Sequence, residues 1–333
     1  MSKKSPLPYL LASLALYFAL WLGIPKAHFL VSLINAIDRC MRTVGQPWSA
    51  VLALCGIVVL SIPTVAFMAA QIAVVYYFSK QRLDVKRTLL WLCGSLVSVA
   101  LIVAYIVWRM DVVERLHRLP TLREIGYIIS ISRFGIAKML MYGSILLLAC
   151  GIGYLVSLRI KDRNLLLPVV MFAACIDFWT VTVGPVSTMM EKMPELVSAV
   201  SAPIPKAGTG AFVPATMMGI GDPLFMALVF AAVHRLGMNG PRNYVFICAV
   251  MTAAMLAVRM SWLPYLPALV ALAVAVVAAN WREFRLSRQE KISIAVVAAF
   301  LVASMPLVWA LTSSKKPAKP KPPAPVSSPK HSK

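Results

Sequence analysis

The sequence predicts an all-α, polytopic membrane fold of about nine to ten transmembrane helices, and three observations carry that expectation. The first is composition: 60% of the 333 residues are hydrophobic and only 14% are charged, with a mean hydropathy of +0.80. The second is that several apolar runs reach the ~20 residues a spanning helix requires. The third is where the twelve acidic residues fall. Ten sit in polar connecting stretches, and two, Asp177 and Asp222, stand alone inside long apolar segments.

The segments follow in order. The first, Leu7 to Ile24, lies behind Lys3 and Lys4 with no small-residue cleavage site before Trp21, and reads as a retained helix. The second, Trp48 to Phe78, is long for one span. It is either one strongly tilted helix or a hairpin turning at Ser61, Pro63 and Thr64, because proline removes a helix donor and crowds the preceding turn. The hairpin gives ten segments and the single helix nine. Leu89 to Trp108, Met139 to Leu158 and Leu165 to Val183 follow, then Phe212 to Val233, Tyr244 to Val258, Trp262 to Ala279 and Ile292 to Leu311.

Between Arg109 and Lys138, six basic and three acidic residues flank a run, Ile125 to Ile131, too short to span; an interfacial amphipathic helix fits it. Val186 to Gly210 carries Glu191, Lys192 and Glu195, then Pro203, Pro205, Gly208 and Gly210, the composition of a flexible loop joining the two aspartate-bearing segments. From Lys315 onward, six lysines and six prolines with almost no packable apolar side chain predict a disordered tail.

The net charge of +21 is scattered through short loops and this tail, not gathered in a basic domain, so no nucleic-acid partner is expected. The basic residues divide almost evenly between the two faces of the membrane. They favour a cytoplasmic tail and a cytoplasmic Arg109 to Lys138 loop, and the tail lysines suit anionic lipid headgroups. Cys40, Cys55, Cys93, Cys150, Cys175 and Cys248 show neither CxxC spacing nor a disulfide framework. His28, His117, His234 and His331 have no ligand spacing, so neither a metal nor another cofactor is expected.

A carboxylate near the bilayer centre costs ~3 kcal/mol even on forgiving insertion scales, so Asp177 and Asp222 are functional candidates by default. Asp177 lies past mid-depth of its segment. Asp222 follows Gly219, Ile220 and Gly221 and precedes Pro223, where glycine permits close helix contact and proline a local break. Two facing carboxylates in a low dielectric share one proton, the arrangement with which aspartyl proteases activate water against a peptide carbonyl. Which aspartate is acid and which base stays open at this level.

Gly219-Ile220-Gly221-Asp222 is similar to the GxGD motif of the presenilin and signal-peptide-peptidase intramembrane aspartyl proteases, and Pro267-Ala268-Leu269 is similar to their PAL motif. The order agrees as well: an aspartate segment, then GxGD, a further segment, and PAL. With the hairpin, Asp177 falls in the sixth helix and Asp222 in the seventh, as in presenilins. The resemblance implies a presenilin-like fold, Asp177 and Asp222 as the catalytic pair, and Gly219, Ile220, Gly221, Pro267, Ala268 and Leu269 as substrate-binding and supporting positions, with the PAL residues beside Asp222. It implies no cofactor, transmembrane protein segments as substrates, and a multi-pass membrane location. It divides the chain into N-terminal helices (1–164), a catalytic core (165–280), an extra C-terminal helix (281–312) and the tail (313–333). Two features depart from the family: Ile176 stands where a tyrosine usually precedes the first aspartate, leaving Phe178 or Trp179 to supply an aromatic surface, and a segment follows PAL. The rival class is a proton-coupled secondary transporter built on a midplane aspartate pair, though the sequence has no convincing internal repeat.

Overall fold

The computed structural model describes residues 5–43, 45, 48–81, 83–111, 118, 120–131, 135–182, 202–203, 217–219, 221–260, 267–284, 287–289, 291–292, 294–296, 298–300 and 303. The helices are α1 (Leu7–Gly23) with a 3-10 turn (Ile24–Lys26), α2 (His28–Thr43), α3 (Trp48–Ser79), α4 (Val85–Arg109), α5 (Leu122–Ile131), α6 (Gly135–Ser157) and α7 (Arg163–Thr182). After them come β1 (Ala202–Pro203) and β2 (Met217–Met218), then α8 (Gly221–Arg235), α9 (Gly240–Arg259) and α10 (Ala268–Asn280). The described residues from 288 to 303 are helical as well. Ile220, the tail and most of the loop after α7 lie outside the described residues.

Among the described residues, six helices are long and apolar enough to cross a membrane: α1 with its 3-10 extension, α3, α4, α6, α7 and α9. Each coincides with an apolar run of the sequence. α8 and α10 are apolar too, but shorter, at 15 and 13 residues.

Of the two readings of the second run, the continuous one holds. α3 extends unbroken for 32 residues with Pro63 inside it, about 47 Å at 1.5 Å per residue. Ser61, next to the proline, turns its hydroxyl back onto the Ile57 carbonyl at 2.7 Å, so this hydroxyl is satisfied within the helix instead of marking a turn. Asp177 therefore lies on the fifth of the six long helices.

α5 is the short amphipathic helix expected before α6. Its first turn is a capping box: Glu124 Oε2 accepts from the Thr121 N–H at 2.7 Å, and the Glu124 N–H reaches Thr121 Oγ1 at 3.4 Å. Arg118 clamps the same carboxylate from both guanidinium nitrogens, at 3.0 and 2.6 Å, and holds it at about 2, well below the usual range. α2 was not legible as a helix, because Asn35, Asp38, Arg39 and Arg42 break its apolar run. At i, i+3, i+4 and i+7 they share one face of a helix and leave an apolar stripe opposite, and α2 packs on α3.

The core is built around α8, which packs on α6 and α3. Every residue from Met226 to Val233 is buried. Gly153 of α6 allows the closest approach: a Cβ there would overlap the Leu224 carbonyl oxygen and stand 2.9 Å from Ala227 Cβ. One end of the bundle is tied by polar contacts between connections. Arg163 Nε donates to the Leu236 carbonyl at 2.9 Å and Arg235 to the Ser157 carbonyl at 2.6 Å, while the Tyr154 hydroxyl donates to the Leu83 carbonyl at 3.0 Å. Lining this end, Tyr76 packs its ring on Phe230, His234 and Tyr244 at centroid distances of 5.1 to 5.3 Å.

Candidate active site

The tied end fixes the depth of both aspartates. α7 starts there at Arg163 and α8 ends there at Arg235. Asp177 is fourteen residues from Arg163 and Asp222 thirteen from Arg235, so each lies ~20 Å along its helix from the same tie. Two antiparallel helices joined at one end thus bring both carboxylates to one level. The two helices also pack on each other, which keeps both carboxylates in one region of the bundle. Asp222 also lies about one turn before the level of Gly153, which puts it near the middle of the 23-residue α6.

Neither α8 nor α10 spans the full depth. Both begin near the level of the carboxylates, and both have unusual first turns. At the start of α8, the Asp222 N–H donates to the Gly219 carbonyl at 3.3 Å, and Asp222 Oδ2 accepts from the Gly219 N–H at 3.1 Å. The carboxylate therefore caps its own helix in the manner of the acidic half of a capping box. Pro223 fits here because a first-turn residue has no intrahelical partner for its missing N–H.

α10 begins after Pro267, whose extended backbone (φ −60°, ψ 129°) carries no side-chain cap. The cap comes from another helix. The Leu269 N–H donates to Asp177 Oδ2 at 3.0 Å, across 92 residues of sequence. A carboxylate at a helix N-terminus gains both from the orphan donor and from the macrodipole. The PAL residues thus make their polar contact with Asp177, where the resemblance had placed them beside Asp222.

Among the described residues, a Cβ at Gly221 would meet nothing within 4 Å, and one at Gly219 would come no nearer than 3.8 Å, to Asp222 Oδ2. Among those residues the close approach of two helices falls at Gly153. Upstream, Ala202 pairs with Met218 and Pro203 with Met217 in an antiparallel ladder that leads straight into Gly219. Extended backbone at this depth is tolerable where it is enclosed by protein or lines a watery cavity.

Ile176, where the resemblance led to an expectation of tyrosine, is 47% exposed. Its position therefore points away from the packed core, and the hydrogen bond on Asp177 comes from backbone instead. Trp179 is also outward, 40% exposed, with its ring 6.4 Å from that of Phe300 in the C-terminal helical residues. Among the described residues, no group of three or more His, Cys, Asp or Glu is arranged to hold a metal ion.

Sequence reasoning named Asp177, Asp222, Gly219, Gly221, Pro267, Ala268 and Leu269, and missed two features that position them. The β1–β2 ladder left no periodic signal, since each strand is two residues long. Gly153 did leave one, as part of a small-residue stretch from Ala149 to Gly153. No protein-family model, curated protein or solved structure matches the chain.

Proposed function

We propose that this protein is a multi-pass intramembrane aspartyl endopeptidase of the presenilin-like GxGD type, with Asp177 and Asp222 as its dyad. In this reading the six long helices, α8, α10 and the helical residues from 288 to 303 make nine membrane segments. The observation that carries it is two isolated carboxylates at one mid-bundle level on helices that pack together, each holding a backbone N–H at the start of a helix that begins there.

The chemistry uses one shared proton. The ionised carboxylate takes a proton from water as its oxygen attacks the scissile carbonyl carbon. The protonated one gives its proton to the carbonyl oxygen, so that a tetrahedral gem-diol forms. The proton taken from water then passes to the amide nitrogen, the C–N bond breaks as a diol hydroxyl returns its proton to the other carboxylate, and the free acid and amine leave. Substrates are transmembrane segments of other proteins. Their helical backbone must open before a carbonyl is reachable, and the open backbone around Gly219 and Gly221 and the edge of the ladder offer strand-like pairing to the opened segment. No cofactor enters the reaction.

The same mid-depth helix starts favour one rival, a proton-coupled transporter with a midplane aspartate pair. One experiment separates the two. The wild type, Asp177→Ala and Asp222→Ala are reconstituted in liposomes with a single-pass reporter substrate and an internal pH dye. The protease reading expects cleavage by the wild type and a loss of at least ~10³-fold in either variant. Cleavage at the wild-type rate in either variant sinks the dyad. Aspartate-dependent proton flux without cleavage establishes the transporter.

A further inference from the structure

α10 presents the Leu269 N–H to Asp177, and its apolar body packs on α7 and α9. Its sequence, Ala-Leu-Val-Ala-Leu-Ala-Val-Ala-Val-Val-Ala-Ala-Asn, repeats a few aliphatic side chains. Such a seam distinguishes neighbouring registers less sharply than a buried polar pair does. What is unique is its far end. Asn280 is fully buried and faces the equally buried Asn243 of α9. Their amides bond reciprocally: Asn243 Nδ2 donates to Asn280 Oδ1 at 2.8 Å, and Asn280 Nδ2 to Asn243 Oδ1 at 2.6 Å. Their other amide protons go to the Asn239 and Val276 carbonyls, at 2.9 and 2.8 Å. Beside them Arg242 pairs with Glu283.

We infer that the Asn243–Asn280 clasp is a positioning device for the active site. It sets the height and rotation of α10 so that the Leu269 N–H meets the Asp177 carboxylate. A shift of one residue would break both reciprocal amide bonds between α9 and α10 at once, leaving the two facing amide oxygens unsatisfied in an apolar interior, which makes the register discrete. The 13-residue α10 contains neither glycine nor proline. It transmits that register as a rigid rod over the eleven residues from Asn280 to Leu269, ~16 Å. A single buried polar contact fixes register in this way between helices whose apolar seams do not.

The inference rests on the protease reading, and the test keeps the two apart. Asn280→Leu and the double variant Asn243→Leu/Asn280→Leu are compared with the wild type and Asp222→Ala in the liposome cleavage assay. Competent sites are counted by titration with a hydroxyl-bearing transition-state isostere. The double variant leaves no orphaned amide and keeps the fold accessible if the single one misfolds. The expected result is kcat per titrated site lowered 10- to 100-fold in the double variant, with KM within about twofold of wild type. Fewer titrated sites with unchanged kcat per site would show a purely structural clasp and overturn the inference, as would a change confined to KM. Wild-type cleavage by Asp222→Ala overturns the protease reading and this inference with it. An inactive Asp222→Ala beside a fully active double variant removes the inference alone.

Discussion

The two ends of α8 are built on opposite rules. From Met226 to Val233 the helix is buried on all sides, with Phe230, Ala231, Ala232 and Val233 at 0% exposure and the α6 backbone pressed against it at Gly153. In its first turn, by contrast, Gly221 is exposed and has no described neighbour for a Cβ, while Asp222 is held by one backbone N–H from Gly219. The difference teaches how an apolar bundle carries a polar site. Among the described residues, tight packing is concentrated on the half of the helix away from the carboxylate, and Asp222 is held by a backbone donor. α10 repeats the pattern, with its amide clasp at one end and the Leu269 N–H at the other.

Beyond loss of the aspartates themselves, the sharpest challenge to this contrast is a bulky residue at Gly153. Gly153→Val must push α6 off the α8 backbone. We expect it to destabilise the protein by about 1–3 kcal/mol, read as a lower midpoint in detergent unfolding, with cleavage lost in proportion to the unfolded fraction. An unchanged midpoint would mean that the close approach of α6 and α8 does not anchor the site.

The complementary change is Gly221→Ala, at the open end. Unfolding should stay within ~0.5 kcal/mol of wild type, while cleavage per competent site falls about tenfold as the added methyl occupies space beside the carboxylate. If Gly221→Ala instead destabilises as much as Gly153→Val, the two ends of α8 are not different in kind.

The smallest effect belongs to a region outside both. Glu124, held low first by Arg118 and then by Thr121, has a folded value depressed to about 2 against an ordinary carboxylate value of about 4.5. A depressed carboxylate contributes stability above its unfolded value and loses it as pH falls through the folded one. The first turn of α5 should therefore hold at pH 6 and loosen between about pH 4.5 and 2, seen as faster amide exchange at Leu122 to Ile125 after correction for intrinsic rates. Glu124→Gln should exchange fast across that range. A pH-independent wild type would show that the Arg118 clamp contributes nothing.

How much was readable in advance differs between residues for physical reasons. α1, α4, α6, α7 and α9 were visible because burial in lipid demands long apolar runs whatever the neighbouring helices do. Whether Pro63 breaks α3 was not visible, since the outcome depends on whether local groups such as the Ser61 hydroxyl are satisfied without a turn. α2 was hidden because the polar residues of its opposite face interrupt the apolar run. The start of α8 was placed too early, because an apolar run does not reveal where backbone stops being helical.

The candidate site divides along the same line. The sequence by itself determined that two carboxylates lie in apolar segments and that glycines and a proline surround one of them, because those are local facts of composition. Only the tertiary structure decided that Asp177 and Asp222 share one depth, that Asp177 caps α10 by accepting from the Leu269 N–H, and that the close helix contact among the described residues falls at Gly153. Each of these depends on the register between helices far apart in the chain, and register is set by which side chains interlock and which polar groups find partners. No single segment contains that information.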